Sequence, residues 1–256
     1  MRLNERVILS VYRRVRRALF DRFKASRRDS FAIDIDTSYS GFFAQLNWCL
    51  YVFDHCDKTG LVPDIRLLGR AYTNVAGHDW LHDYFEDALP AQMASSAAAR
   101  NASARDPFRI THIQETDLGV ASATMTLEHA NWLWNKYLRT RGSIGEYVDA
   151  FVGTHYAPGR TMGVHFRGTE KGGEAESVPW DSFASAIEAY AGTHAPITAV
   201  FVASDDAAFI EWLKQRFSGR YAVCSHEDQE RSVGSQPIHL NLAGDRNRKG
   251  FEALVN

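Results

Sequence analysis

Thr161-Met162-Gly163-Val164-His165-Phe166-Arg167-Gly168-Thr169-Glu170-Lys171-Gly172-Gly173-Glu174 is the stretch on which the fold turns. Its first six residues read as a strand, and its remainder as a polar loop punctuated by glycine. A helical pattern follows from about 180 to 191, then a strand from Ile197 to Ala203 and a turn at Ser204-Asp205-Asp206. Next come a helix carrying Ile210, Leu213 and Phe217 on one face and a strand at Tyr221-Ala222-Val223-Cys224. Strand and helix alternating at this length specify parallel pairing with helices on both faces, and ligands of such sheets bind beyond the carboxyl ends of the strands.

The same unit occurs earlier. Phe31-Ala32-Ile33-Asp34-Ile35 reads as a strand, Asp36 to Gly41 as a turn, and Leu46, Cys49, Leu50, Phe53 and Cys56 as one helix face. Gly60 ends that helix before a second strand, Val62-Pro63-Asp64-Ile65-Arg66-Leu67. A short strand is expected at Ile110 to Ile113, and helices over about 126 to 139 and 143 to 153. Pro158-Gly159-Arg160 breaks the pattern and sets the expected boundary. The division is then an amphipathic helix at 1–29, an N-terminal α/β lobe at 30–158 and a Rossmann-like C-terminal lobe at 159–256. The run Gly250 to Asn256 opens a helix without a stop signal, so the second lobe reads as truncated.

Composition agrees with a globular chain: of 256 residues, 45% are hydrophobic and 23% charged. No long apolar run or secretory signal is present, and Cys49, Cys56 and Cys224 form no disulfide framework, which indicates the cytoplasm. The net charge of −2 hides an asymmetry, since residues 1–28 hold ten Arg and Lys against Glu5 and Asp21. Val7, Ile8, Val11, Val15, Leu19 and Phe23 recur there at helical spacing. Such a helix either packs on the protein body or rests peripherally on an anionic membrane surface. No basic stripe continues into the folded region, so no nucleic-acid partner is expected.

At 163–174 the chemistry is that of phosphate binding. An Arg fork, a Lys point charge and glycines that admit a ligand to the backbone suit a pyrophosphate. The pattern is neither a Walker loop nor a dinucleotide-binding glycine turn. The plain alternative is that Arg167 and Lys171 pair with Glu170 and Glu174 on a surface loop. Asp205 or Asp206 can equally be an ordinary helix N-cap, His239 a loop hydrogen-bonding group and His165 a satisfied strand histidine.

The run Gly163-Val164-His165-Phe166-Arg167-Gly168-Thr169-Glu170-Lys171 resembles the HxRxTDK-like signature of the GDP-fucose fucosyltransferases, in their α1,6-fucosyltransferase and NodZ-type branch. Phe201 to Asp206 is similar to the family's second strand-turn, Arg231-Ser232 and Pro237-Ile238-His239 to its linking loop, and Gly41 to Asn47 to its first glycine turn and helix. The resemblance implies a GT-B fold of two Rossmann-like lobes and a metal-independent, inverting transfer of a sugar, fucose above all, from a GDP-sugar to a carbohydrate-type acceptor. It implies donor-binding roles for His165, Arg167, Gly168, Asp205, Asp206 and His239. Arg167 and Lys171 would hold the phosphates. Glu174, then Glu170, is the expected base for the acceptor hydroxyl. Glu170 replaces the usual aspartate, and Gly168 stands where some members have a second arginine. A non-catalytic sugar-nucleotide-binding relative would share these features. A metal-dependent hydrolase is the rival reading, because His78 and His82 lie four apart with carboxylates beside them.

Overall fold

The computed structural model describes residues 3–25, 29–88, 106–114, 117–118, 125–168, 178–194, 196–227, 229–231 and 243–255. The chain forms two compact units, Met1–Arg141 and Gly142–Asn256. That division falls earlier than the break at Pro158-Gly159, because the helix preceding the break packs with the second unit. Both units are α/β with a parallel sheet.

In the first unit, α1 (Leu3–Ala25) precedes β1 (Ser30–Ile35), α2 (Phe42–Thr59) and β2 (Val62–Leu67). Strand β1 lies in the middle of a parallel sheet of order β2-β1-β4, with β4 at Phe108–Ile110. A central strand buried on both faces must be apolar throughout, and Phe31, Ile33 and Ile35 are fully buried. The exception, Asp34, faces its register partner Arg66, which grips both carboxylate oxygens at 3.0 and 2.9 Å. Helix α2 stops where Gly60 turns left-handed at φ +71°, its N–H closing onto the Cys56 carbonyl. Cys49 and Cys56 are buried in it as free thiols.

The strand expected at 110–113 falls at 108–110, where Phe108 stacks on Phe23 at 4.7 Å. After α3 (Leu81–Tyr84), the three-residue strands β3 (Phe85–Asp87) and β5 (Leu138–Thr140) form an antiparallel pair. Between them α4 (Leu127–Tyr137) begins at Thr126, whose hydroxyl accepts the His129 N–H, and packs Tyr137 on Phe53 of α2.

Of the described residues on the apolar face read from the sequence, α1 buries Phe23 and leaves the others exposed. Phe20 and Phe23 are buried against Phe31 and Phe108, whereas Val11, Val15 and Leu19 are exposed. Arg16, on the buried side, forks onto Asp117 at 2.7 to 3.0 Å and bonds the His112 carbonyl at 2.6 Å. Bulkier aromatics and an Arg–carboxylate fork thus fix the rotation of the helix.

The second unit contains α5 (Gly142–His155), β6 (Thr161–Phe166), α6 (Trp180–Thr193), β7 (Ala199–Ser204), α7 (Ala207–Arg216), β8 (Ala222–Cys224) and α8 (Arg246–Val255). Its sheet is parallel in order β6-β7-β8, with β7 buried along its whole length. On one face Phe166, Val200 and Val202 pack against Ala184 and Ile187 of α6 and Phe209, Ile210 and Leu213 of α7. On the other, Phe151 and Tyr156 meet Phe201 at 5.7 and 5.6 Å. Among the described residues no helix is long and apolar enough to cross a membrane.

Candidate functional site

The register of β6 on β7 pairs His165 with Ala203 and Phe166 with Ser204, so both strands end level with each other. Alternation turns Phe166 into the core and His165 away from it. Phe166 is buried against Phe183 and Phe209, and this apolar plug fixes where the next residues emerge. His165, Arg167 and Gly168 are exposed at that edge.

The two turns are joined. The Gly168 N–H donates to the Asp205 carboxylate at 3.1 Å. Asp206 is the N-cap of α7, accepting from Ala208 N–H at 2.9 Å and Phe209 N–H at 3.2 Å, while its own N–H donates to the Ser204 hydroxyl. Of the two adjacent aspartates, then, Asp206 holds a helix and Asp205 holds the loop after β6. A side chain at position 168 would force its neighbours to shift: a Cβ there would lie 2.6 Å from the Phe166 ring and 3.0 Å from the Asp206 carboxylate. Glycine at 168 suits that close approach. Glu170, Lys171, Glu174 and His239 lie outside the described residues.

A second cation at the strand ends is Arg231, which the sequence marked only as part of a loop. Its guanidinium donates to the Ser204 carbonyl at 2.5 Å, the His226 carbonyl at 2.5 Å and the Gln229 side chain at 2.6 Å, tying the end of β7 to that of β8. Burial draws its pKa below the ordinary arginine value, against the pull of Glu252 and Asp205. Beside it, a cavity of about 540 Å³ is lined by Tyr147, Phe151, His226, Arg248, Phe251 and Glu252, among others. His226 donates from Nε2 to the Val255 carbonyl at 3.1 Å, which leaves Nδ1 to accept the Tyr147 hydroxyl at 3.1 Å. Burial pushes its pKa down, so the ring is neutral at pH 7. Sequence reasoning missed this wall. The signal was the position of Ser225-His226 directly after β8, where the strand-end rule points.

In the first unit the histidine pair lies differently from the expected single helical face. Helix α3 begins only at Leu81, after His78. His82 Nδ1 meets Asp79 at 2.7 Å and Nε2 meets Asp87 at 3.2 Å, while His78 meets Asp83 at 2.8 Å. Both ring nitrogens of His82 are thus taken by carboxylates. Among the described residues, no group of three or more His, Cys, Asp or Glu is placed to hold a metal.

No protein-family model matches the chain, and no curated protein matches it by sequence. Solved structures do match by shape. The fucosyltransferase NodZ from Bradyrhizobium superposes with a TM-score of 0.55 at 15% identity, over 90% of this chain and 85% of that one. NodZ α1,6-fucosyltransferase soaked with GDP-fucose gives 0.51 at 15% identity, over 89% and 84%. The same enzyme co-crystallised with GDP gives 0.52 at 14% identity, over 90% and 84%. The likeness is one of fold: this chain has a NodZ-like, GT-B-type α/β fold with parallel sheets.

Proposed function

We propose that this chain is a glycosyltransferase that binds a GDP-sugar at the carboxyl edge of the second sheet and transfers the sugar, fucose by our reading, to a carbohydrate hydroxyl. The observation that carries the reading is the exposed polar edge His165-Arg167-Gly168, tied to the Asp205-Asp206 turn, in a chain whose fold is that of a fucosyltransferase solved with GDP-fucose and with GDP.

The chemistry suits the residues. Cleavage of a sugar–phosphate bond builds negative charge on the departing diphosphate, so a cation placed there stabilises the transition state more than the ground state. Arg167 takes that role, and we assign it to Lys171 as well. His165, Gly168 and the Asp205-Asp206 turn bound the donor site, and we assign His239 to it as well. Attack by the acceptor hydroxyl requires loss of its proton, and Glu174, with Glu170 second, is the base we assign. These cations take the place of a metal at the departing diphosphate, and direct attack of the acceptor hydroxyl from the opposite face of the sugar inverts the anomeric carbon. The free thiols suit a reducing compartment, and we place the activity in the cytoplasm.

Calorimetric titration with GDP, GDP-fucose, UDP and ADP in EDTA tests the donor site. The expected result is saturable binding of GDP and GDP-fucose, weakened at least tenfold in Arg167→Ala. That factor corresponds to about 1.4 kcal/mol, the lower end for a charge-assisted hydrogen bond. Binding that requires added metal, or that ignores Arg167, would overturn the proposal. Fucose transfer to an oligosaccharide acceptor then separates an enzyme from a binding protein.

A further inference from the structure

The rotation of α1 leaves an unusual surface. Its inner side is committed to the first unit through Phe20, Phe23 and Arg16. Its outer side carries Val11, Val15 and Leu19, which are 54%, 55% and 53% exposed and recur every fourth residue. Scattered exposed apolar residues are ordinary, but a stripe at helical period along one face is not.

Charge accompanies the stripe. Between Ser10 and Ala25 the helix has six basic residues and a single acidic one, Asp21, which Lys24 holds at 2.9 Å. Arg13, Arg14, Arg17 and Arg22 are exposed. Arg14 follows Val11 by three positions and Arg22 follows Leu19 by three, so both are surface neighbours of the stripe. Their long apolar stems can lie along a low-dielectric boundary while the guanidinium groups stay in a polar layer.

From this geometry we infer that the outer face of α1 docks on an anionic lipid surface, lying in its plane. The apolar stripe enters the boundary between headgroups and acyl chains, and the arginines meet lipid phosphates. A second copy of this helix is a poor occupant, since pairing the two stripes would bring their arginines together. The inference stands apart from the sugar-nucleotide site, which belongs to the second unit.

Vesicle flotation of the full chain tests it, with phosphatidylcholine alone and phosphatidylcholine mixed with phosphatidylglycerol. The chain should float with the mixed vesicles only, and added salt should release it. Val11→Ser combined with Val15→Ser and Leu19→Ser should weaken recovery at least tenfold, and so should Arg14→Gln with Arg22→Gln. Because all five side chains are exposed, both variants should keep the parent circular dichroism spectrum and GDP affinity. Failure to bind anionic vesicles at low salt would overturn the inference, as would full binding by the serine variant. A concentration-dependent dimer by sedimentation velocity, abolished in the serine variant, would assign the face to a second copy instead.

Discussion

Both units end their strands in a turn closed by a glycine, yet they use the space beyond the sheet in opposite ways. In the first, the chain after β2 folds back over the strand ends: the Leu68 N–H bonds the Ile35 carbonyl, and Asp79 accepts from the Leu67 and Leu81 N–H groups. Trp80, Phe42, Tyr72 and Tyr84 then fill the region with rings 5.1 to 6.1 Å apart. In the second, the strand ends carry an exposed histidine and arginine, and their turns are held by two aspartates and Arg231. Aromatic packing closes one edge, and polar groups line the other at the price of exposure. The donor site we propose lies at the second, polar edge.

The sharpest way to break the comparison is at the two glycines. A Cβ at Gly69 would lie 1.7 Å from the backbone carbonyl oxygen of Thr37. Main chain cannot step aside there without undoing the turn after β1, so Gly69→Ala should cost about 4 kcal/mol or more. Denaturant unfolding followed by tryptophan fluorescence, to which buried Trp80 contributes, would show it. Gly168→Ala meets a ring edge instead, at 2.6 Å. Phe166 can tilt, though its contacts with Phe183 and Phe209 resist, so the cost should be about 1–3 kcal/mol. The same change moves the Gly168 N–H off Asp205 and should weaken GDP binding, whereas unfolding of the first unit should stay unchanged. Equal losses at the two glycines would mean that the edges are built alike.

Much of this contrast was legible in the residues. Apolar runs bounded by turn residues located β1, β2, β6 and β7, and the strand-end rule singled out His165, Arg167 and Asp205-Asp206. The Gly60 stop was visible because only a left-handed residue ends α2 in that way. Pairing between distant segments was not visible. Three residues cannot display a period, so β3 and β5, joined across about fifty positions, left no pattern. Nor can a period say which of two faces turns inward. Along α1 that choice was made by Asp117, whose buried carboxylate needs Arg16. The Gly168 to Asp205 bond and the Arg231 tie likewise depend on three-dimensional register.

The smallest expected effect concerns how the first unit is closed. His82 sits between Asp79 and Asp87, and donation from both ring nitrogens requires the imidazolium. The hydrogen bond to Asp79, then that to Asp87, raises its pKa to about 10, against the effect of burial. A folded-state pKa above the unfolded one, about 6.5, means that the stabilisation is complete below that pH and disappears as pH climbs towards 10. The side chain is 39% exposed, so solvent screening holds the contribution to about 1 kcal/mol or less. Burial also raises the thiols of Cys49 and Cys56, and those groups favour unfolding once the pH exceeds about 8.5, the free thiol value. The informative window therefore lies between pH 6.5 and 8.5, where His82 titrates in the unfolded chain and the thiols do not. Across it the melting temperature of the parent should fall relative to that of His82→Gln, which keeps a hydrogen-bonding side chain but never carries the charge. Asp79 is the wrong residue to change, since its other oxygen holds the Leu67 and Leu81 N–H groups. Parallel melting curves for parent and variant would show that the carboxylates clamp His82 without charging it.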